Sequence, residues 1–206
     1  IVMLVKVIPS YEEMFSQIGG ELPWITQFYV NLSHGIINYW FIIIPVIIAI
    51  VFGVRYFAKT NAGKHFFGKI ALKLPLLKTM TVKSASSMMA RTMSTLLGAG
   101  VPLIEAVDIV SGVMSNIYFK EALQDAKEEI TIGMPLSSPL QESGLFPPMV
   151  YQMIRIGEEA GSTEEMLDKL ADYYDEEVEM EVQSLMAAME PMIIIVLAVV
   201  VGGLIA

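Results

Sequence analysis

Residues 162–206 read STEEMLDKLADYYDEEVEMEVQSLMAAMEPMIIIVLAVVVGGLIA, and this stretch decides the fold. Ser162-Thr163-Glu164-Glu165 has the form of a capping box, Ser162 at the cap and Glu165 three residues on. Leu167, Leu170, Ala171, Tyr174, Val178, Val182 and Leu185 follow at steps of three and four, the apolar stripe of an amphipathic helix. Glu165, Asp168, Asp172, Asp175, Glu176 and Glu179 form an acidic stripe on the opposite side. The helix is expected to run on through Glu190-Pro191 into the apolar run 191–206. One element therefore begins in water and ends in lipid.

The composition agrees. Of 206 residues, 54% are hydrophobic and only 17% charged, against about 25% charged in soluble domains. A net charge of −9 argues against nucleic acid as a direct partner. With no cysteine and two separated histidines, His34 and His65, disulfides, thiolate chemistry and a His-based triad within one subunit fall away.

A second apolar segment lies at 35–57, almost unbroken from Ile36 to Phe52 except at Asn38 and Pro45. Tyr39 and Trp40 near one end, with Tyr56 and Phe57 at the other, fit interfacial aromatic belts. From Arg55 to Arg91 the chain carries eight Lys/Arg and no acidic residue. By the positive-inside rule the region after 57 is cytoplasmic and 6–34 lies outside. Those lysines suit either anionic headgroups or an ordinary solvated face. The apolar openings at 1–5 and 191–206 fall short of the roughly 20 residues a span needs, so both are expected to be truncated transmembrane helices.

Between the spans, 58–190 shows helix periodicity and no strand alternation. Helices are expected at 84–97, stopped by Gly98-Ala99-Gly100; from Pro102, with Leu103, Ala106, Val107 and Val110 on one face; and from Asn116 to Thr131, ended by Gly133. A short one should follow Pro135, and another should run from Pro147-Pro148 to Ala160, broken by Gly161. The expected fold class is all-α: a membrane-anchored bundle of about six cytoplasmic helices flanked by transmembrane helices. Charge is divided within it, since 105–190 holds 19 acidic and four basic side chains. That polarity serves either partner binding or solubility.

No catalytic constellation emerges. The run 58–65 lacks the first glycine and the Ser/Thr of a phosphate loop. Glu158 and Glu159 are neighbours, about 100° apart on a helix, and do not aim at one substrate. No cofactor or metal site is expected, although abundant carboxylates leave divalent-cation binding open. Glu190, at the entry to lipid, should pair with another helix or snorkel to the interface.

The order of motifs resembles the type II secretion protein F / PilC family, the inner-membrane platform of type IV pili and type II secretion. The resemblance covers nearly the whole chain. It rests on Glu21-Leu22-Pro23, Thr60-Ala62-Gly63, Leu96-Leu97-Gly98-Ala99-Gly100-Val101-Pro102-Leu103, Asn116, Gly133-Met134-Pro135-Leu136, Phe146-Pro147, Gly157-Glu158-Glu159-Ala160-Gly161, Ala171-Asp172-Tyr173-Tyr174 and Glu190-Pro191. It implies a C-terminal half carrying the second of two similar cytoplasmic domains, with no chemistry of its own. It also implies a homo-oligomer that binds a hexameric assembly ATPase below and contacts pilin or pseudopilin and other inner-membrane proteins. Arg155, Glu158, Glu159, Asp168, Asp172 and Asp175 are the expected partner-facing residues. The rival reading, a membrane transporter (permease) subunit, wants polar residues along the spans, and only Asn38 and Glu190 qualify.

Overall fold

The computed structural model describes residues 24–205. They form eight helices and no strand: α1 (Trp24–Lys59), α2 (Asn61–Lys73), α3 (Pro75–Gly98), α4 (Leu103–Val113), α5 (Ile117–Thr131), α6 (Ser137–Glu142), α7 (Pro148–Ala160) and α8 (Thr163–Ile205). The all-α expectation is met. The expected span end at 1–5 and the outer loop up to residue 23 lie outside the described residues. Residues 24–34, expected as loop, are already helical in α1, because between Pro23 and Gly35 no glycine or proline interrupts the chain.

The chain divides into a compact unit, Phe57–Ser184, and a second made of the segments on either side of it. The second unit holds most of α1 and the end of α8. Ile44, Ile47, Val51 and Phe52 of α1 are all exposed. So are Ile193, Ile194, Ile195 and Leu197 of α8. Such faces suit lipid rather than water. Across Thr163–Val199, α8 is long and apolar enough to cross a membrane. Pro45 and Pro191 both lie inside their helices, as lipid-embedded helices tolerate.

In the first unit, punctuation explains the helix limits. Thr60 caps α2, its hydroxyl accepting from Gly63 N at 3.2 Å. Pro75 occupies the first turn of α3, where a missing N–H costs nothing. These two signals make α2 a separate helix and start α3 at residue 75, well before the expected 84. Asn116 caps α5 by accepting from Tyr118 N at 3.0 Å, and its amide donates to Gly68 O of α2 at 3.3 Å. Gly161 ends α7 in the left-handed region, φ +68°.

The reciprocal capping box expected at Ser162 and Glu165 does not form. Ser162 N–H donates to Gly157 O at 2.8 Å, closing α7, and Glu165 accepts from Lys169 at 2.7 Å. The tight corner takes the cap's donor for the preceding helix. Gly157 is what lets that corner close, because a Cβ there would lie 2.8 Å from Thr163 Cα.

The core draws on six of these helices. Met89 and Met93 of α3, Val107 and Val110 of α4, Phe119 and Leu123 of α5, Leu140 of α6, Val150 and Ile154 of α7, and Leu167 and Leu170 of α8 are each at most 1% exposed. Phe119 meets Phe146 edge to face, ring centroids 5.1 Å apart, a favoured aromatic geometry. The apolar stripe read from 162–206 is the face that α8 buries, down to Tyr174. Burial pushes the Tyr174 hydroxyl up to about 12.

Candidate partner interface

The acidic stripe of α8 runs alongside α3. Lys83, Ser87 and Arg91 stand four residues apart, on one face of α3. Arg91 Nη1 donates to Asp168 at 2.9 Å, and its Nη2 donates to Asp172 at 2.6 Å and Asp175 at 2.7 Å. The Ser87 hydroxyl donates to Asp175. Lys83 Nζ lies 2.6 Å from both Glu177 and Glu181. Position 91 thus meets 168–175 and position 83 meets 177–181, so α3 and α8 run antiparallel along a charged seam.

Three of the expected partner-facing residues are therefore engaged inside the bundle. Asp168 and Asp172 remain 58% and 65% exposed at their side chains, which leaves an open edge on each. Asp175 is held more closely. The Ser87 hydroxyl, and then the Arg91 guanidinium, keep its carboxyl below the ordinary aspartate value. Arg91 is in turn raised by Asp172 and Asp175. Lys83 is raised above its ordinary 10.5 by hydrogen bonds to Glu177 and Glu181.

A carboxyl depressed in the fold contributes stability above its unfolded value, about 3.9, and loses it as pH falls through the folded one. Replacing Arg91 by Gln should lower the thermal midpoint at pH 7. That gap between variant and wild type should narrow as pH falls below about 4, read by circular dichroism of the detergent-solubilised full-length protein. A gap that stays constant into acid would show that Arg91 stabilises by packing alone.

The other three expected residues sit on α7. Glu158 reaches back to α6, accepting from Leu136 N at 2.5 Å and Ser137 N at 3.3 Å. It supplies the N-terminus of α6 with the carboxylate that Pro135 and Leu136 cannot provide. Arg155 donates to Gln141 Oε1 at 2.6 Å, a second tie between α7 and α6. Glu159 is exposed. Removing the Glu158 acceptor should leave two backbone N–H groups unmatched, so Glu158→Ala should cost about 2 kcal/mol. Glu158→Gln, which keeps an acceptor oxygen, should cost less than half of that in the same thermal unfolding experiment.

The motif glycines and prolines divide similarly. Gly98 lies beside Glu164, whose Oε1 would sit 2.7 Å from a Cβ there. Gly100 and Gly133 take positive φ after α3 and α5, Pro102 and Pro147 precede α4 and α7, and Glu190 is exposed on α8 beside Pro191. Among the described residues no group of three acidic or histidine side chains is placed to hold a metal ion. Lys83 and Arg91 belong in the sequence to the basic run 55–91, and their role in this seam is visible only in the fold. Their spacing on α3 matches the carboxylate spacing on α8.

The profile of the family described as "Type II secretion system (T2SS), protein F" matches residues 89–206. The chain is 43% identical over 205 residues to the type IV pilus assembly protein PilC of Pseudomonas aeruginosa, covering 99% of this chain and 55% of that protein. Against PilC of Myxococcus xanthus it is 37% identical over 202 residues, 98% of this chain and 48% of the relative. Against the type II secretion system protein F of Aeromonas hydrophila it is 30% identical over 202 residues, 97% and 52%. The chain spans about half the length of the curated relatives it matches. It belongs to the type II secretion protein F family, whose members are structural components of pilus and secretion machines and not enzymes.

Proposed function

We propose that this chain is part of the inner-membrane platform of a type IV pilus or type II secretion machine, coupling a hexameric cytoplasmic assembly ATPase to insertion of pilin or pseudopilin into the filament. In this reading 35–57 and 191–206 lie in the membrane and 58–190 in the cytoplasm, and the platform is a homo-oligomer. The observation that carries it is α8, one helix from Thr163 to Ile205. Its first half is fastened to the bundle by the Arg91 and Lys83 seam, and beyond Glu190 its exposed side chains are apolar. In this reading force applied to the bundle passes into the bilayer along one helix without crossing a loop. High identity to proteins named for pilus assembly supports the pilus form of the reading.

The ATPase is proposed to contact Glu159 together with the open edges of Asp168 and Asp172. Arg155, Glu158 and Asp175 shape that surface from within. The test is co-purification of the full-length protein in detergent with the assembly ATPase encoded beside it. Glu159→Lys should weaken association several-fold while leaving the thermal midpoint unchanged. Replacing Asp168, Asp172 and Asp175 together by Ala should weaken it too, but with a lowered midpoint, since Arg91 loses all three partners. Retained association in the Glu159→Lys protein would move the contact elsewhere. Failure of the unaltered protein to bind would sink the coupling reading.

A further inference from the structure

The helix α2 has two faces, and the fold uses only one. At about 100° per residue, Gly68, Leu72 and His65 cluster on the side toward the bundle. Gly68 is buried against Asn116, with room for no Cβ (2.9 Å to its Oδ1), and His65 Nε2 lies 2.9 Å from Glu121 of α5. The opposite side carries Phe66, Ile70 and Phe67, exposed by 56%, 36% and 41%. Phe57 joins them, its ring centroid 6.4 Å from those of both phenylalanines. Lys69 and Lys73 border this apolar strip on one flank and Lys64 on the other, all three exposed.

We propose that α2 lies in the headgroup layer of an anionic bilayer, with Phe66, Phe67 and Ile70 in the acyl boundary and Lys64, Lys69 and Lys73 on lipid phosphates. An apolar strip of this width bordered on both flanks by lysine is the pattern of an in-plane interfacial helix, its ammonium groups snorkelling upward. Charge favours lipid over a protein partner, because no acidic residue occurs between Arg55 and Arg91 to balance the lysines. Position favours it as well. Only Thr60 separates α2 from α1. Thr60 N and its hydroxyl both donate to Phe57 O, at 3.0 and 2.6 Å. A Cβ on Gly63 would strike the same carbonyl at 1.9 Å. A helix that follows α1 after a single residue starts at the depth where α1 ends. The inference therefore rests on 35–57 being a span.

The experiment places single cysteines in the full-length protein, carrying nitroxide labels, after reconstitution into equimolar phosphatidylglycerol and phosphatidylcholine. Labels go at Phe66 and Ile70, at exposed Glu128 of α5, and at Ile47 within the span. Oxygen and a water-soluble nickel chelate then report depth by collision. Labels at Phe66 and Ile70 should show a several-fold higher oxygen-to-nickel ratio than at Glu128, below that at Ile47. Changing Lys64, Lys69 and Lys73 together to Gln should lower the ratio at Phe66 in this membrane, and less in pure phosphatidylcholine. Nickel access at Phe66 equal to that at Glu128, with Ile47 deep in lipid, overturns the inference and leaves the span intact. Labels at Phe66 shielded from both collision agents overturn it in favour of a protein contact. Nickel access at Ile47 overturns the span itself and the inference with it.

Discussion

Replacing Phe119 by Ala should lower the stability of the Phe57–Ser184 unit by about 3–5 kcal/mol, the largest effect expected of a single side-chain truncation here. Phe119 is fully buried and among the largest such side chains. It lies in the first turn of α5 within the core cluster, and its edge contact with Phe146 holds the loop before α7. Truncation removes the transfer energy of the ring and leaves a cavity whose walls come from several helices and cannot collapse together. In a unit of this size the thermal midpoint should fall by about 10 °C or more, read by circular dichroism of the full-length protein in detergent. Phe119→Leu should lose less than half as much. A fall of only a few degrees for the Ala variant would mean that the core repacks around the gap.

The second large effect has the opposite sign of volume. Gly157→Leu should cost about 3 kcal/mol, at the upper end of the overpacking range. Gly157 is buried where α7 turns into α8, and a Cβ would lie 2.8 Å from Thr163 Cα and 3.2 Å from Met166 Cβ. A flexible side chain at that place would swing away, but the backbone of Thr163 cannot. Relief requires the start of α8 to move off α7, which pulls Leu167 and Leu170 from the core and strains the pairing of Arg91 with Asp168. The Leu variant should therefore have a lowered midpoint and, under the proposed function, weaker ATPase association. Gly161→Ala, at φ +68° with open space around its Cβ, should lose only the left-handed preference, about 1 kcal/mol. If Gly157→Leu proved milder than Gly161→Ala, the close helix approach would not be what holds the corner.

Both predictions concern positions whose type was legible in the sequence and whose role was not. Phe119 falls in the expected helix 116–131, yet nothing local separates it from Tyr118 beside it, which stays partly exposed. The neighbours that decide between them belong to other helices. Gly161 was legible as the stop of the helix that begins at Pro147-Pro148, and it takes a positive φ there. That Gly157 permits a close approach needs the position of Thr163.

What the sequence determined by itself was the local inventory. The steps of three and four in α8, prolines at first turns, glycines past last turns and the long uncharged runs are short-range features, and each acts through its own few residues. They were enough for an all-α bundle carrying apolar membrane-length segments, and the order of motifs was enough for the family. What the tertiary structure decided was the fate of the charges. Arg91 and Asp168 are 77 residues apart in the chain and Lys83 and Glu181 are 98, so no local pattern assigns them to each other. Folding brought α3 and α8 antiparallel, and Coulomb attraction between side chains that reach one another converted part of a basic run and part of an acidic stripe into one seam. The lysines of α2, turned away from that seam by the packing of Gly68 on Asn116, still face outward.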